Sequence, residues 1–362
     1  MLVITTKALI KRGLRLAGLE PIRPTKLEKL ARYHQDAAAA SLHNAQTQLG
    51  AVSDATLRLC EEYAVAVLGD KVYAPWLKVY ATVCGEFKEG WVPDNYYGRY
   101  VVGRRKGAYG FISYQRALSK VLFDTNANPD IAYVVNERLF DANYKIQSTA
   151  AIEQLLFPER DSVVFKTEGS KQGNGIFFFY KEKFSLSAVM ALGNGVFQSI
   201  VRQHSDLAQY EPGATSTIRI TTIVSDTGTA YAAAAYLRVP RQGDSHVISS
   251  NCICVSINLT DGALNRVGYS PNWELRQTHP DSGVAFAGKY VPSFSKCVEL
   301  ACSLHEQYPL PECIGWDILV DMAGVPKVIE WNGEHNGIKF SEATTGPCFK
   351  RLNWSQLWQS PD

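Results

Sequence analysis

Two acidic residues and one amide form the pattern with the clearest chemical meaning in the chain. Asp317 lies in one strand-like run, and Glu330 and Asn332 lie in the next. A four-residue loop containing Gly324 separates the two runs, which predicts a β-hairpin. If the strands pair from residues 321 and 326 outward, Asp317 lies directly opposite Glu330, and Asn332 shares the face of Glu330.

Opposed carboxylates constrain what this hairpin does. Like charges placed opposite each other destabilise a hairpin unless something neutralises them. Carboxylate and amide oxygens are the ligands that hard divalent cations prefer. The sequence therefore predicts a magnesium site formed by Asp317, Glu330 and Asn332. The alternative is a structural role, with Glu330 solvated at a sheet edge.

A second predicted hairpin carries a glycine-rich loop. One strand-like run ends at Lys166, and the loop that follows contains Gly169, Gly173 and Gly175. The loop matches neither the Walker A motif nor the dinucleotide-binding fingerprint. Glycines let backbone N–H groups approach an anion closely, and a lysine adds a point charge. The loop is therefore a candidate triphosphate site, and a long hairpin turn without a ligand is the alternative.

Two arginines lie on a third predicted hairpin. Pairing Val224 with Thr229 would place Arg219 opposite Ala234, with Arg238 four residues further along the same face. Guanidinium groups bind phosphate and carboxylate oxygens in a bidentate manner. A slip of one residue would move a strand to the other face, and solvated surface arginines are the alternative.

The elements that must position these residues follow an α+β pattern. Residues 25–70 are rich in alanine and have apolar residues at mixed helical spacing, which predicts two or three helices. Aromatic residues and glycines cluster from Gly85 to Gly110, which predicts an irregular packed segment. From about residue 115 onward, short β-branched and aromatic runs alternate with turn residues.

The composition excludes several classes of protein. Of the 362 residues, 46% are hydrophobic and 20% are charged, which excludes a disordered or collagen-like chain. The formal charge of +2 lacks the basic excess of a protein that coats nucleic acid, so we expect no nucleic-acid partner. We also expect no transmembrane segment, because no apolar run approaches the roughly 18 residues that a spanning helix needs.

The N-terminus and the cysteines indicate the compartment. Basic residues interrupt the apolar positions of the first 19 residues, so a signal-peptide core is not expected. This segment would form either an amphipathic helix on a membrane surface or a helix docked on its own domain. The eight cysteines lack zinc-type spacing, which predicts free thiols. We therefore expect a cytoplasmic protein.

Taken in chain order, the candidate residues resemble the ATP-grasp superfamily. That order is Lys166 with its glycine-rich loop, Arg219, Arg238, Asp317, and then Glu330 with Asn332. More closely, the chain resembles the sugar-transfer-associated ATP-grasp family over roughly residues 70–345. The motifs that carry the likeness are Gly90-Trp-Val-Pro-Asp-Asn-Tyr-Tyr97, Arg202-Gln-His-Ser-Asp-Leu207, Thr217-Ile-Arg219, His279-Pro-Asp-Ser-Gly283 and Ile314-Gly-Trp-Asp317.

The resemblance implies a fold and a division into domains. It implies an α+β ATP-grasp fold, in which two lobes with antiparallel sheets hold ATP between them, plus a mainly helical N-terminal region. The expected units are a helical N-terminal domain (1–115), a small lobe with the glycine-rich loop (116–197), and a large lobe with the metal and substrate sites (198–362).

The resemblance also implies roles for individual residues. The expected ATP contacts are Lys120, Lys166, Gly169, Ser170, Gly173, Gly175, Gln198 and Ile200. Gln198 stands where the superfamily often has glutamate. Arg219 and Arg238 are the expected catalytic residues. The expected substrate-binding residues are Asn251, His279 and Lys339, and the expected ligands of Mg²⁺ are Asp317, Glu330 and Asn332.

The implied activity is ATP-dependent ligation of a small-molecule carboxylate to an amine. ATP would phosphorylate the carboxylate, and the amine would attack the acylphosphate to give an amide, in a polysaccharide or small-molecule modification. Two alternatives remain open. One is a kinase that transfers phosphate to a hydroxyl on the same fold, and the other is a non-catalytic nucleotide-binding module of a polysaccharide-assembly complex. The sequence does not identify the oligomeric state.

Overall fold

The chain folds into a helical N-terminal region followed by two antiparallel β-sheets. The computed structural model describes residues 25–123, 125–170 and 173–360. The helix predicted within the first 19 residues lies outside the described residues. The predicted α+β class, with two antiparallel sheets and a helical N-terminal region, is confirmed.

Local sequence signals set the ends of the N-terminal helices. Thr25 and Glu28 form a reciprocal capping box at the first helix, and Ser53 caps the second. Gly85 ends the third helix in the left-handed conformation, at φ +86°. The helices are α1 (Lys26–Leu49), α2 (Asp54–Ala66) and α3 (Ala74–Cys84). The prediction of two or three helices in this region is confirmed.

The segment that follows is irregular over residues 85–93, as predicted, but helical from Asp94 onward. It contains a ten-residue π-helix, Tyr97–Lys106, a type of helix often found at functional sites. Its short helices are α4 (Asp94–Tyr96), α5 (Gly107–Phe111) and α6 (Ser119–Phe123), with 3₁₀ turns at Ile112–Tyr114 and Arg116–Leu118. Buried aromatic residues such as Tyr96 and Tyr97 stabilise this segment. Its apolar residues do not recur at helical spacing, so the sequence did not predict these helices.

The first sheet has five strands in the order β2-β1-β5-β3-β4, all antiparallel. The strands are β1 (Asp130–Val135), β2 (Arg138–Asp141), β3 (Ser162–Thr167), β4 (Ile176–Tyr180) and β5 (Gly195–Ser199), and the helices are α7 (Thr149–Leu156) and α8 (Leu186–Met190). One face of the sheet packs on α7 and α8 through a small apolar core. The opposite face carries Lys166. Strand β5 continues to Ser199, two residues beyond the expected boundary of the small lobe.

The second sheet has seven strands in the order β10-β9-β8-β7-β6-β11-β12. Its strands are β6 (Thr217–Val224), β7 (Ala230–Val239), β8 (Ile253–Ile257), β9 (Leu264–Tyr269), β10 (Leu275–Arg276), β11 (Cys313–Val320) and β12 (Pro326–Asn332). The helices α9 (Ser205–Ala208), α10 (Phe294–Gln307) and α11 (Lys339–Thr345) complete this part of the chain. All eight residues of β11 are buried, so any charged side chain on it must have a partner.

The hairpin of β11 and β12 has the predicted cross-strand pair but a different turn. Asp317 lies opposite Glu330, as predicted. The turn is one residue longer than predicted, because Pro326 pairs with Val320 and not with Asp321. A β-bulge next to Asp317 shifts the register by one residue and restores the predicted pair.

The predicted register of β6 and β7 is wrong by two residues at the functional position. Arg219 lies opposite Tyr236 and not opposite Ala234. The turn is one residue longer, since pairing begins at Ala230, and a β-bulge adds the second shift. Because side chains alternate with a period of two, an even shift keeps the face, and Arg238 still shares the face of Arg219.

The C-terminal segment completes the core of the N-terminal helices. Trp354 is 1% exposed and stacks on Phe349 with ring centroids 4.8 Å apart. Both belong to the apolar cluster that contains Trp76. Trp91 Nε1 donates to the backbone oxygen of Glu342 at 2.8 Å. The N-terminal region and the end of the chain therefore share one core.

The structure bears on two expectations from the sequence, those about membrane-spanning helices and about the cysteines. None of the described helices is long and apolar enough to cross a membrane. All eight cysteines are free, which confirms the prediction of free thiols.

The shared core predicts a large effect of Trp354→Ala. Removing this ring leaves a cavity between the C-terminal segment and the helices, so we expect the free energy of unfolding to fall by about 3–5 kcal/mol. Leu310→Ala is the control, because Leu310 is 52% exposed, and it should change stability by less than about 0.5 kcal/mol. Urea denaturation measures both, and equal losses would contradict the shared core.

Candidate active site

Asp317 forms the centre of a buried ion cluster. Its carboxylate accepts hydrogen bonds from Arg219 Nε at 2.7 Å and Arg219 Nη2 at 2.9 Å, and from Arg238 Nη1 at 3.4 Å. Burial alone would raise the pKa of Asp317, but the two arginines hold that pKa below its usual value. The strands β7, β6 and β11 are neighbours, so the sheet itself brings the three side chains together.

Both arginines also contact the segments that follow the sheet strands. Arg219 Nη1 donates to the backbone oxygen of Asn336 at 2.5 Å, and Arg238 Nη2 donates to Ser249 Oγ at 2.9 Å. Arg219 is 8% exposed. The prediction that these arginines share a face is confirmed, and the alternative of solvated surface arginines is wrong.

Glu330 is neutralised by a residue that sequence reasoning missed. Arg116 Nη2 donates to Glu330 Oε1 at 3.3 Å. The same guanidinium donates to the backbone oxygens of Thr167 at 3.0 Å and Ser170 at 3.4 Å, so it also holds the base of the glycine-rich loop. Arg116 belongs to no recognisable motif, and its role depends on a contact over 214 positions of sequence.

These ion pairs remove the reason for which a metal was predicted between Asp317 and Glu330. Asp317 and Glu330 are opposed as predicted, but Arg219, Arg238 and Arg116 already neutralise them. The opposed carboxylates therefore do not by themselves require a cation. Within the described parts of the chain, no group of three or more histidine, cysteine, aspartate or glutamate side chains is arranged to hold a metal ion.

Lys166 connects the five-stranded sheet to the seven-stranded sheet. It is 7% exposed, and its Nζ donates to the backbone oxygen of Ile329 on β12 at 3.1 Å. Burial lowers the pKa of Lys166 to about 8, although the nearby Glu330 carboxylate acts in the opposite direction. With this pKa, Lys166 is mostly charged at pH 7 and loses its charge as pH rises through about 8.

The glycine-rich loop needs its glycines for conformation. Gly169, Gly173 and Gly175 all have positive φ, at +68°, +86° and +78°. A Cβ atom on Gly175 would lie 2.2 Å from Thr167 Oγ1. The ring of His246 hydrogen-bonds the backbone oxygen of Gly173 at 3.0 Å, so a segment between β7 and β8 touches the loop. Residues 171 and 172 lie outside the described parts of the chain.

A cleft lies beside Lys166, between the first sheet and β12. Gln198 is 4% exposed, and its Nε2 donates to Asp130 Oδ1 at 2.7 Å. The Oδ1 atom of Asn128 is buried without a hydrogen-bond partner. Ile200 follows β5 and is 43% exposed. The residues lining the cleft include Ser113, Arg116, Ser119, Asn128, Asp130, Val196, Gln198, Ile329, Glu330 and Trp331.

Two expected substrate-binding residues have structural contacts elsewhere. Asn251 Nδ2 donates to the carboxylate of Asp244 at 3.0 Å. His279 is fully buried, and its two ring nitrogens contact the Pro240 backbone oxygen at 3.0 Å and Ser282 Oγ at 3.2 Å. Burial lowers the pKa of His279. A buried ring with both nitrogens engaged favours a structural role, so these contacts give the predicted substrate roles no support.

Two expected lysines also contact residues outside the ion cluster. Lys339 Nζ lies 4.7 Å from the centre of the Trp76 ring and 3.9 Å from Asp94 Oδ2. Lys120 Nζ lies 3.5 Å from Asn143 Oδ1. The predicted roles of Lys339 with substrate and of Lys120 with ATP stay predictions.

The ion cluster predicts different stability losses from its two carboxylates. Asp317→Asn would leave two buried arginines without a charge partner, so we expect the free energy of unfolding to fall by about 3–5 kcal/mol. Glu330→Gln removes a pair in which Glu330 is partly exposed, and about 1 kcal/mol or less should be lost. Urea denaturation at pH 7 with chelator measures both, and similar losses would argue against Asp317 as the centre.

Comparisons with known proteins agree with the resemblance. The family described as Sugar-transfer associated ATP-grasp matches residues 184–353. These residues contain Arg219, Arg238, Asp317, Glu330 and Asn332. No curated protein matches the chain in sequence.

Similar solved structures include three enzymes. Biotin carboxylase from Campylobacter jejuni, in a complex with beta-gamma-ATP, is 11% identical, covers 69% of this chain and 48% of its own, and has a TM-score of 0.44. The D-alanine-D-alanine ligase from Coxiella burnetii is 9% identical over 70% of this chain and 59% of its own, with a TM-score of 0.40. The D-cycloserine synthetase DcsG is 12% identical over 71% and 72%, with a TM-score of 0.38.

These structural likenesses are too distant to carry an inference about activity, and the chain spans about half the length of the biotin carboxylase. The family match is the stronger finding, because it covers the large sheet and its charged residues. The predicted resemblance to the ATP-grasp superfamily is confirmed, and residues 184–353 match its Sugar-transfer associated family.

Proposed function

We propose that the chain is an ATP-dependent carboxylate–amine ligase that forms an amide through an acylphosphate. One observation carries the proposal: Lys166 of the first sheet and two arginines of the second lie around the carboxylates of Asp317 and Glu330. Such cations suit phosphate oxygens, and such carboxylates suit a divalent metal. The match to an ATP-grasp family over residues 184–353, which contain the two arginines and both carboxylates but not Lys166, supports this assignment.

The donor atoms at the predicted metal site fit Mg²⁺ in kind. Asp317 and Glu330 are opposed on β11 and β12, and Asn332 shares the face of Glu330. Asn332 Nδ2 donates to the backbone oxygen of Gly315 at 3.3 Å, so Oδ1 is the acceptor of this amide. Two carboxylates and one amide are too few for six ligands, so phosphate oxygens and water would complete the shell. When bound, Mg²⁺ would neutralise charge on the phosphate oxygens.

The side chains of this chain would act by positioning and electrostatics. Lys166, Arg219 and Arg238 would bind phosphate oxygens, and the backbone N–H groups of the glycine-rich loop would cover them. An oxygen of the substrate carboxylate would attack the γ-phosphorus of ATP as ADP leaves. The amine would then attack the acyl carbon and release phosphate. No protein nucleophile takes part.

The segment of Gln198 and Ile200, at the end of β5, is our candidate for the contact with the base of the nucleotide. Gln198 and Ile200 lie where the resemblance implies the interlobe segment. Ile200 is exposed and Gln198 is held by Asp130, so backbone atoms of this segment would meet the base edge.

The substrates that we propose are a small-molecule carboxylate and a small-molecule amine. The description of the matched family supports a role connected with sugar transfer, and polysaccharide modification in the cytoplasm is the setting that we propose. Lobe boundaries near residues 115 and 199 follow the two sheets and belong to the same proposal.

Binding and trapping experiments test the proposal. We expect calorimetry to show nucleotide binding that depends on Mg²⁺, and its absence would remove the proposed function. A screen of carboxylates for ADP release should then be run with hydroxylamine, which converts an acylphosphate to a hydroxamate. ADP release without hydroxamate would favour the alternative of a kinase.

The pKa of Lys166 predicts how nucleotide affinity depends on pH. Since burial lowers this pKa to about 8, the positive charge is present at pH 7 and lost as pH rises to 9. Affinity for Mg²⁺–ATP should therefore fall over this range. Lys166→Met should weaken binding at pH 7 by at least about 10-fold and reduce the dependence on pH.

Lys350→Met is the matched control, because the Lys350 side chain is 57% exposed and lies 3.9 Å from Glu89. This variant should bind Mg²⁺–ATP like the wild-type protein at every pH. An unchanged affinity in Lys166→Met would show that Lys166 does not contact the phosphates.

A further inference from the structure

The loop that follows β12 holds the guanidinium of Arg219 from the side opposite Asp317. Asn336 lies in this loop and is 1% exposed. Its backbone oxygen accepts from Arg219 Nη1 at 2.5 Å, whereas Asp317 accepts from Nε and Nη2. The orientation of the planar guanidinium therefore depends on where Asn336 is placed.

Two side chains of the N-terminal region hold Asn336 in place. The hydroxyl of Tyr97 donates to Asn336 Oδ1 at 2.5 Å, and Lys106 Nζ donates to the same oxygen at 3.2 Å. Lys106 Nζ also donates to the Tyr97 hydroxyl at 2.9 Å. On the other side, Asn336 Nδ2 donates to Cys313 Sγ at 3.5 Å. Both oxygens and the amide of Asn336 are thus engaged.

The side chains of Tyr97 and Lys106 are both buried, which is unusual for a lysine. Tyr97 is 0% exposed and Lys106 is 2% exposed. A lysine is rarely buried to this extent, because its charge loses hydration, and burial lowers the pKa of Lys106 to about 8. Apolar packing at this position would avoid that penalty. Burying two polar donors, Tyr97 and Lys106, beside one amide oxygen costs more hydration free energy than apolar packing would, which favours a role beyond stability.

We propose that Tyr97 and Lys106 are positioning residues that orient Arg219 through Asn336. This inference rests on the proposed function, in which Arg219 binds phosphate oxygens. Tyr97 and Lys106 lie at the two ends of the π-helix, so the N-terminal region contributes to the site without touching the nucleotide. If the hydrogen bonds from Tyr97 and Lys106 to Asn336 are lost, Asn336 is free to turn. Arg219 then keeps its ion pair with Asp317 but loses the contact that fixes Nη1.

Neighbouring tyrosines provide a matched pair of variants. Tyr97→Phe removes the hydroxyl that holds Asn336. Tyr96→Phe removes an equally buried hydroxyl, which donates to the backbone oxygen of Trp354 at 2.8 Å, away from Arg219. Each hydroxyl both donates and accepts: that of Tyr97 accepts from Lys106 Nζ, and that of Tyr96 accepts from the backbone N–H of Trp358 at 3.3 Å. The melting temperatures of the two variants should therefore fall by similar amounts. Calorimetry with Mg²⁺–ATP should show roughly 5- to 10-fold weaker binding in Tyr97→Phe and less than about 2-fold change in Tyr96→Phe.

A double-mutant cycle separates positioning from a general structural effect. If Tyr97 acts through Arg219, Tyr97→Phe should change affinity by less than about 2-fold in an Arg219→Lys background, because the oriented guanidinium is already gone. Equal effects of Tyr97→Phe in both backgrounds, or equal effects of Tyr97→Phe and Tyr96→Phe, would overturn the inference.

Lys106→Met is the second variant, and it carries the same test should Tyr97→Phe fail to fold. It keeps the length of the side chain and removes the donor, so it should also weaken binding only when Arg219 is present. Wild-type protein that binds no Mg²⁺–ATP would overturn the proposed function and this inference together. Wild-type binding with unaffected Tyr97 and Lys106 variants would overturn the positioning role alone.

Discussion

The structure depends on one buried carboxylate, Asp317, held between two arginines at the centre of the larger sheet. Removing such charges from water costs several kcal/mol for each ion, and only close, hydrogen-bonded geometry offsets that cost. The geometry exists because β7, β6 and β11 are adjacent, which puts Arg238, Arg219 and Asp317 on one face. An apolar set would stabilise a sheet at least as well, so the charges indicate a site rather than a stabilising device.

The charges around this centre are unbalanced in a direction that suits a polyanion. Three carboxylates, those of Asp317, Glu330 and Asp130, lie among four cationic side chains, which are Lys166, Arg219, Arg238 and Arg116. Triphosphate oxygens would compete with the carboxylates for the arginines, and carboxylate oxygens released in this way would become available to a metal. The arginine pairs that neutralise the carboxylates are therefore compatible with a metal site that forms together with the nucleotide.

The sequence predicted the strand face on which a side chain lies better than it predicted the residue opposite or in contact with it. Turn lengths and β-bulges shifted Arg219 by two residues, but alternation along a strand kept Arg219 and Arg238 on one face. The predicted pair of Asp317 and Glu330 was correct because the register shift from the longer turn is cancelled by the shift from the β-bulge. Arg116 and Asn336 were missed, since their roles arise from tertiary contacts that no local pattern encodes. Residues taken from the resemblance alone, such as His279, lacked that local evidence as well.

A close backbone contact explains why the N-terminal region and the large sheet act as one unit. A Cβ atom on Gly110 would lie 2.4 Å from the backbone oxygen of Gly333, and a Cβ atom on Gly333 would lie 2.7 Å from that of Gly110. Gly333 directly follows Asn332 and begins the loop that contains Asn336. A side chain at either glycine would push the loop away from the N-terminal region, and the contacts that fix Arg219 would then separate. The close approach of Gly110 and Gly333, which requires that neither residue carries a side chain, therefore helps to fix the position of Arg219.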